Sequence, residues 1–179
     1  GRYTELQMTG LLPTEIITGV GRAEDFIPEA LEANAQGDVR PSADPSADVE
    51  RLWCRGGQPD SFLAPSDAIS AKRRRDFLEG YLKHDLKALG FDINSRNLTI
   101  CLKYLATMNG GEFKTNTYQK ALSLNHKEIT EALAVLQRLL LVRILEPWSI
   151  NVRHQVTRNP TLYVRDTGLL HSLLNLNSA

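Results

Sequence analysis

The spacing of apolar residues between positions 96 and 165 constrains the fold of this chain more than any other feature. Apolar residues recur with helical spacing in three stretches and form strand-like runs in two more: about 97–108, 116–123, 125–140, 142–145 and 162–164. A tight turn at Ser123 and Leu124 separates the second and third stretches. We therefore expect three short helices followed by two paired strands.

The third predicted helix carries the clearest local signals. Asn125 and Glu128 have the spacing of a capping box, in which each side chain satisfies a backbone N–H of the other residue. The inward positions repeat at helical intervals: Ile129, Leu133, Leu136 and Leu140. This order of elements is that of a winged helix-turn-helix, in which the second helix braces the third so that its N-terminal face can enter a major groove.

Charge is distributed unevenly along the chain. Residues 96–165 contain ten Lys or Arg and four acids, a balance of 10 − 4 = +6, whereas residues 1–50 contain three Arg and ten acids, 3 − 10 = −7. The formal net charge of zero conceals this division. A basic block favours a polyanionic partner, although a solvated surface can also be basic.

The candidate nucleic-acid contacts lie on the third helix and in the predicted hairpin loop. They are Asn125, His126, Lys127, Thr130, Arg138, Arg153, His154 and Arg158. Backbone N–H groups at a helix N-terminus favour phosphate, and a basic loop suits contact with the nucleic-acid backbone. Protein docking is the alternative interpretation, for two reasons. Winged helices also bind proteins, and Glu131 on the same face would repel phosphate.

Other polar residues receive structural interpretations. The run 72–75 (Lys-Arg-Arg-Arg) is expected to be a solvated helix face, and Asp166 is expected to cap a final helix rather than act in catalysis. Trp148 is expected to pack beneath the wing. The four histidines have no i, i+4 pair and no nearby cysteine, which argues against a metal site. No phosphate-binding glycine loop is present, so we expect no cofactor in this chain.

The remaining segments suggest the domain boundaries. Residues 36–46 are polar and contain two prolines, which indicates a linker. In the connector predicted at 47–95, a short helix at 48–55 and an irregular loop at 58–65 precede a long helix from the cap Ser66 to about Leu89. Residues 166–179 begin a C-terminal helix. Residues 1–8 alternate weakly like a strand without a nearby partner, so we expect residues 1–35 to be the end of an absent domain.

Bulk properties limit where the protein acts. No apolar run approaches the roughly 20 residues that span a bilayer, and no secretion signal opens the chain, so we expect no membrane partner. Cys54 and Cys101 lack the spacing of a redox or zinc motif. A reduced, cytoplasmic protein is the simplest interpretation.

Four segments in order resemble a known family, the predicted bacterial and archaeal AAA+ ATPases that carry a C-terminal domain of unknown function. Residues 1–15 resemble the last strand of the ATPase core, residues 52–59 its Gly-Gly-Phe-Pro turn, residues 74–86 its long helix, and residues 160–170 the segment after its winged helix. Gln58 stands where that family usually has Phe, and His84 where it usually has Arg. The resemblance implies a nucleotide-binding core upstream, with ATP and Mg²⁺ as cofactors of the full-length protein.

Together these observations predict a mainly α fold, with a helical connector at 47–95 followed by a winged helix-turn-helix with a small β-hairpin wing at 96–165. The expected function is nucleic-acid binding, most consistent with double-stranded DNA, as the accessory part of an AAA+ ATPase. A protein-interaction module that docks on the ATPase core or another subunit is the alternative. An enzymatic role as a nuclease-like remnant ranks last, because we find no paired carboxylate–lysine site and no catalytic residues.

Overall fold

The computed structural model describes residues 10–13, 16, 45–82, 86, 93–148 and 159–176. Seven helices and two strands are defined in this part of the chain: α1 Pro45–Arg55, α2 Pro59–Phe62, α3 Asp67–Gly80, α4 Ser95–Thr107, α5 Thr115–Leu122, α6 His126–Arg138, β1 Val142–Leu145, β2 Thr161–Val164 and α7 Thr167–Leu173. The protein is mainly helical, with one small antiparallel sheet, as the apolar spacing predicts.

The core lies where α4, α5, α6 and the sheet meet. Its fully buried members come from all of these elements: Leu98, Leu102, Leu105, Tyr118, Ile129, Leu136, Val142 and Leu162. Burial of each large aliphatic side chain contributes about 1.5–3 kcal/mol. The inward stripe predicted for α6 is confirmed at Ile129, Leu133 and Leu136, whereas Leu140 is only half-buried.

Two non-glycine residues in the left-handed region shape the ends of α6. Ser123 (φ 55°) closes α5 and turns the chain toward Asn125, and Leu140 (φ 57°) follows the end of α6. Leucine in this conformation is strained by roughly 1–2 kcal/mol. The strain is tolerated because the Leu141 N–H donates to the Leu136 carbonyl (3.0 Å) and both side chains are buried. The chain therefore passes directly from α6 into β1.

The sheet pairs β1 with β2 in an antiparallel register that places Val142 opposite Val164 and Arg143 opposite Tyr163. The other edge of β2 is met by the loop after α4, where Glu112 forms an isolated bridge with Thr161. The Asn109 side chain also accepts from the Val164 N–H (2.8 Å). These bonds attach the sheet to the end of α4.

The connector differs from the sequence prediction in three places. Its first helix begins at Pro45, earlier than the expected start at residue 48, and the expected irregular loop at 58–65 contains the helical turn α2. The third difference concerns Arg74, which the solvated-face interpretation placed in water. Arg74 is only 6% exposed. The long helix, which was predicted to extend to about Leu89, is observed as α3 from Asp67 to Gly80. Residues 83–85 and 87–90 of the predicted helix lie outside the described residues.

Arg74 is buried because it joins the connector helices to one another. Its guanidinium donates to the hydroxyls of Ser70 (2.6 Å) and Ser61 (3.1 Å), and both serines are also buried. Removal from water lowers the pKa of Arg74, and the negative charge of Asp166 partly opposes that shift. Arg74 therefore has a structural role within a run of four cations. The residue types in that run do not show which of the four is buried.

Asp166 caps α7, as predicted, and also holds the connector. One carboxylate oxygen accepts from the Leu169 N–H (2.8 Å) at the start of α7, and the other accepts from the Gly57 N–H (2.7 Å) after α1. A single side chain therefore fixes two segments that are 109 residues apart.

We predict that Asp166→Ala lowers the free energy of unfolding by about 2–4 kcal/mol, because it removes a helix cap and leaves the Gly57 N–H without its acceptor. Urea unfolding followed by circular dichroism measures this change. Asp76→Ala is the matched control, since Asp76 is exposed and forms a surface ion pair with Lys72, so its cost stays within about 0.5 kcal/mol. Equal losses in the two variants would contradict the role of Asp166.

Two glycines are expected to respond oppositely to alanine. A Cβ on Gly168 would lie 2.2 Å from the Arg55 carbonyl oxygen, whereas a Cβ on Gly80 would meet no atom of the described residues within 4 Å outside its own stretch of helix. Gly168→Ala must push α7 away from α1 and should cost about 2 kcal/mol or more. Gly80→Ala should stabilise the protein by about 0.5–1 kcal/mol, because glycine is entropically costly in a helix. If the thermal unfolding midpoints of the two variants moved in the same direction, the close packing of Gly168 against α1 would be contradicted.

Candidate nucleic-acid interface

The exposed face of α6 is the surface to which the sequence assigned nucleic-acid contact. His126, Lys127 and Thr130 are all exposed on its first turns. The opposite face is buried against the core: Ile129, Ala132, Leu133, Val135 and Leu136. Because the apolar face fixes the rotation of the helix, these polar side chains point outward by necessity.

The start of α6 is held by the predicted capping box, which the structure confirms. The Asn125 side chain accepts from the Glu128 N–H (3.0 Å), and the Glu128 carboxylate accepts from the Asn125 N–H (2.9 Å). The second oxygen of Glu128 accepts from the Asn97 side chain (3.1 Å), which connects α6 to α4. The main role of Asn125 and Glu128 is therefore to position α6.

Lys127 is a highly accessible cation of this face. Its side chain is 84% exposed, and its ammonium lies 3.7 Å from the Glu131 carboxylate one turn along. An exposed pair of this kind contributes about 0.3–0.5 kcal/mol, so a phosphate can replace the carboxylate at little cost. Glu131 nevertheless weakens the positive potential of the face, as the sequence indicated.

His126 and Thr130 form a local pair on the same turn. The Thr130 hydroxyl donates to the His126 carbonyl (2.9 Å) and lies 3.4 Å from Nδ1 of the His126 ring. A threonine that donates to the preceding turn is held in one rotamer, and its hydroxyl oxygen can still accept a hydrogen bond.

Arg138 lies at the opposite end of the helix from these residues. It is eleven positions beyond Lys127, which corresponds to about 16 Å along the axis. The structure thus groups His126, Lys127 and Thr130 and separates Arg138 from them. The other predicted contacts, Arg153, His154 and Arg158, lie outside the described residues.

Trp148, which was expected to pack beneath the wing, is 79% exposed. That expectation was wrong. It assumed that a tryptophan after a proline would find an apolar surface within the hairpin, but the sheet ends at Leu145 and Thr161, before that residue is reached.

A second polar surface lies on α5 and was not singled out by the sequence. Asn116, Thr117 and Lys120 line a cleft of about 400 Å³ together with Tyr104 of α4. The available signal was the polar side of α5, opposite Tyr118. It was overlooked because a short polar helix face is common on any soluble domain.

Other chemistry finds little support among the residues that the structure describes. No group of three or more His, Cys, Asp or Glu there is arranged to hold a metal ion. Burial raises the pKa of Cys101 to about 11, so its thiol is protonated and unreactive near neutral pH. Burial also raises the pKa of Tyr118 to about 12. In the same residues, no helix is both long and apolar enough to cross a bilayer.

Comparison with known proteins gives one family and two curated relatives. The model of a domain of unknown function, DUF8612, matches residues 46–179. The uncharacterized proteins Rv2008c of Mycobacterium tuberculosis (strain H37Rv) and Mb2031c of Mycobacterium bovis are each 36% identical to this chain over 132 residues, which is 74% of the chain. The match spans 30% of the length of each relative. No solved structure matches the chain.

The capping box yields a prediction about how the candidate interface is held. Asn125→Ala should lower the free energy of unfolding by about 1 kcal/mol, because the Glu128 N–H loses its acceptor. Chemical denaturation measures the change. Asn116→Ala is the control, since Asn116 is exposed on the first turn of α5, whose cap position is Lys114. If Asn116→Ala lowered the free energy of unfolding as much as Asn125→Ala, the stabilising role of the Asn125 cap would be contradicted.

Proposed function

This chain belongs to the DUF8612 family, and we propose that its function is to bind nucleic acid, most consistently double-stranded DNA, through α6. In this proposal α4, α5 and α6 form a helix-turn-helix, and β1 and β2 are the strands of its wing. The observation that carries the proposal is the outward position of His126, Lys127 and Thr130 at the N-terminus of a helix that a buried stripe and a capping box hold in place.

The geometry fits docking into a major groove. A groove about 12 Å wide admits an α-helix, and helix-turn-helix proteins use the N-terminal residues of the second helix of that motif for contacts. In α6 this end carries the exposed lysine, while Glu131 and Arg138 lie farther along the same face. The mechanism we propose is electrostatic docking, in which Lys127 and Arg138 contact phosphates, followed by contacts from His126, Lys127 and Thr130.

The role of the second polar surface follows from the same proposal. Lys120 on α5 is exposed beside α6 and supplies a further cation for the backbone. The predicted wing residues Arg153, His154 and Arg158 would add contacts on the other side. Affinity would come mostly from phosphate contacts, which position the protein and carry no sequence information.

We propose further that the domain serves as the accessory part of an AAA+ ATPase, which acts in the cytoplasm with ATP and Mg²⁺ bound elsewhere in the longer protein. The support for this step is the resemblance of four segments in family order. The curated relatives are long enough to contain a nucleotide-binding module, since the matched region is 30% of their length.

The test is binding of a fluorescent random-sequence duplex at two salt concentrations. We expect dissociation constants of about 10⁻⁶–10⁻⁴ M that weaken steeply with salt. Lys127→Glu with Arg138→Glu should weaken binding by about tenfold or more and reduce the salt dependence, because two phosphate contacts become repulsive. Glu131→Gln should strengthen binding, because it removes the acid beside Lys127.

Lys72→Glu with Arg75→Glu is the matched control, because it makes the same total charge change on two exposed residues of α3. It should leave duplex affinity nearly unchanged, and circular dichroism checks that all variants fold. Absence of binding even at low salt, or equal losses in the control and in the α6 variants, would exclude α6 as a nucleic-acid reader. Protein docking would then be the better account of the basic module.

A further inference from the structure

A cleft of about 830 Å³ separates the connector from the outer face of the sheet, away from α6's N-terminus. Its connector wall includes Val49 and Trp53 of α1, and its sheet wall includes Arg143, Tyr163 and Arg165. The cleft does not take part in the proposed nucleic-acid contact. It therefore needs an explanation of its own.

The walls of the cleft expose large apolar side chains. Trp53 is 62% exposed, Val49 42% and Tyr163 36%. The Trp53 ring packs edge-on against His171, with the ring centroids 5.8 Å apart, which holds the indole in place. Oriented aromatic groups in a concave surface are typical of protein-binding sites, where tryptophan and tyrosine often dominate the affinity.

One end of the cleft is lined by residues 10–13 of the same chain. The Leu11 N–H donates to the Gly57 carbonyl (2.6 Å), and a Cβ on Gly57 would lie 2.6 Å from the Leu11 carbonyl oxygen. The glycine at position 57 is therefore what lets a second backbone approach this closely. The contact shows that the cleft accepts peptide main chain as well as side chains.

The charges at the sheet wall are positive and available. Arg143 and Arg165 are exposed on the same outer face as Tyr163, and neither is in an ion pair with any residue that the structure describes. Asp166, the acid that lines the cleft, already accepts from two backbone N–H groups. Two free guanidinium groups beside an apolar surface favour a ligand with carboxylates next to apolar side chains.

We propose that this cleft binds an acidic amphipathic segment of a separate partner protein. Its apolar side chains would lie against Val49, Trp53 and Tyr163, and its carboxylates would pair with Arg143 and Arg165. This surface is distinct from the face of α6, so the domain can bind nucleic acid and a protein at the same time.

The test uses a synthetic, fluorescein-labelled amphipathic peptide in which Leu and Phe occupy one helical face and Glu the other. A matched peptide carries Lys in place of each Glu. With the full chain, we expect the acidic peptide to bind about tenfold more tightly than the basic one. Trp53→Asp should weaken that binding by about tenfold or more, because it removes the central aromatic contact.

Two further variants separate recognition from a general loss of structure. Arg143→Glu with Arg165→Glu should reverse the preference, so that the basic peptide binds better, which a merely unfolded variant cannot do. Leu63→Asp is the control for Trp53→Asp, because Leu63 is 71% exposed and does not line the cleft, and it should bind normally. Duplex binding should persist in Trp53→Asp.

Several outcomes would overturn the proposal. Equal binding of the two peptides, or unchanged binding in Trp53→Asp, would show that the cleft does not recognise this chemistry. A dimer in light scattering that Trp53→Asp converts to monomer would identify a second copy as the occupant. A photo-crosslink from an aromatic ketone at position 53 to another part of the same chain would identify an intramolecular occupant instead.

Discussion

The carboxylate of Asp166 is the interaction on which the arrangement of this domain depends. It accepts from the first turn of α7 and from the Gly57 N–H, and it lies close enough to Arg74 to act on that buried charge. The connector, the sheet and the C-terminal helix meet at this one group. The two backbone donors need this acceptor, since an unsatisfied buried polar group costs about 1–3 kcal/mol. The bond to Gly57 connects the end of α1 to the residues that follow β2.

The candidate nucleic-acid face depends on the burial of one side of α6 and on the charges of the other side. The apolar side of α6 is buried, so its polar side must be exposed, and the capping box fixes where the helix begins. Charge on that face is modest, because Glu131 lies beside Lys127. Such a face is suited to weak, salt-sensitive contact, and it gains strength only when other cations join it.

Sequence patterns were sufficient for the elements that local rules control. The capping box at Asn125, the cap at Asp166 and the strand at 142–145 follow from residue spacing within a few positions, and the structure has all three. The errors arose where distant segments decide the outcome. Arg74 was expected in water, and its burial depends on serines 4 and 13 positions away and on an acid from the far end of the chain. Trp148 was expected to be covered by a hairpin whose described strands stop short of it.

The sequence by itself determined the order of the elements from α4 to α7, the inward stripe of α6 and the division of charge, because these depend on residues that are neighbours along the chain. Only the tertiary structure decided that one cation of the run 72–75 is buried and that Trp53, Tyr163, Arg143 and Arg165 share one cleft. The physical reason is that burial and proximity are properties of packed surfaces. Trp53 and Tyr163 line one cleft because Asp166 connects the end of α1 to the residues after β2, and no periodicity along the chain encodes that proximity.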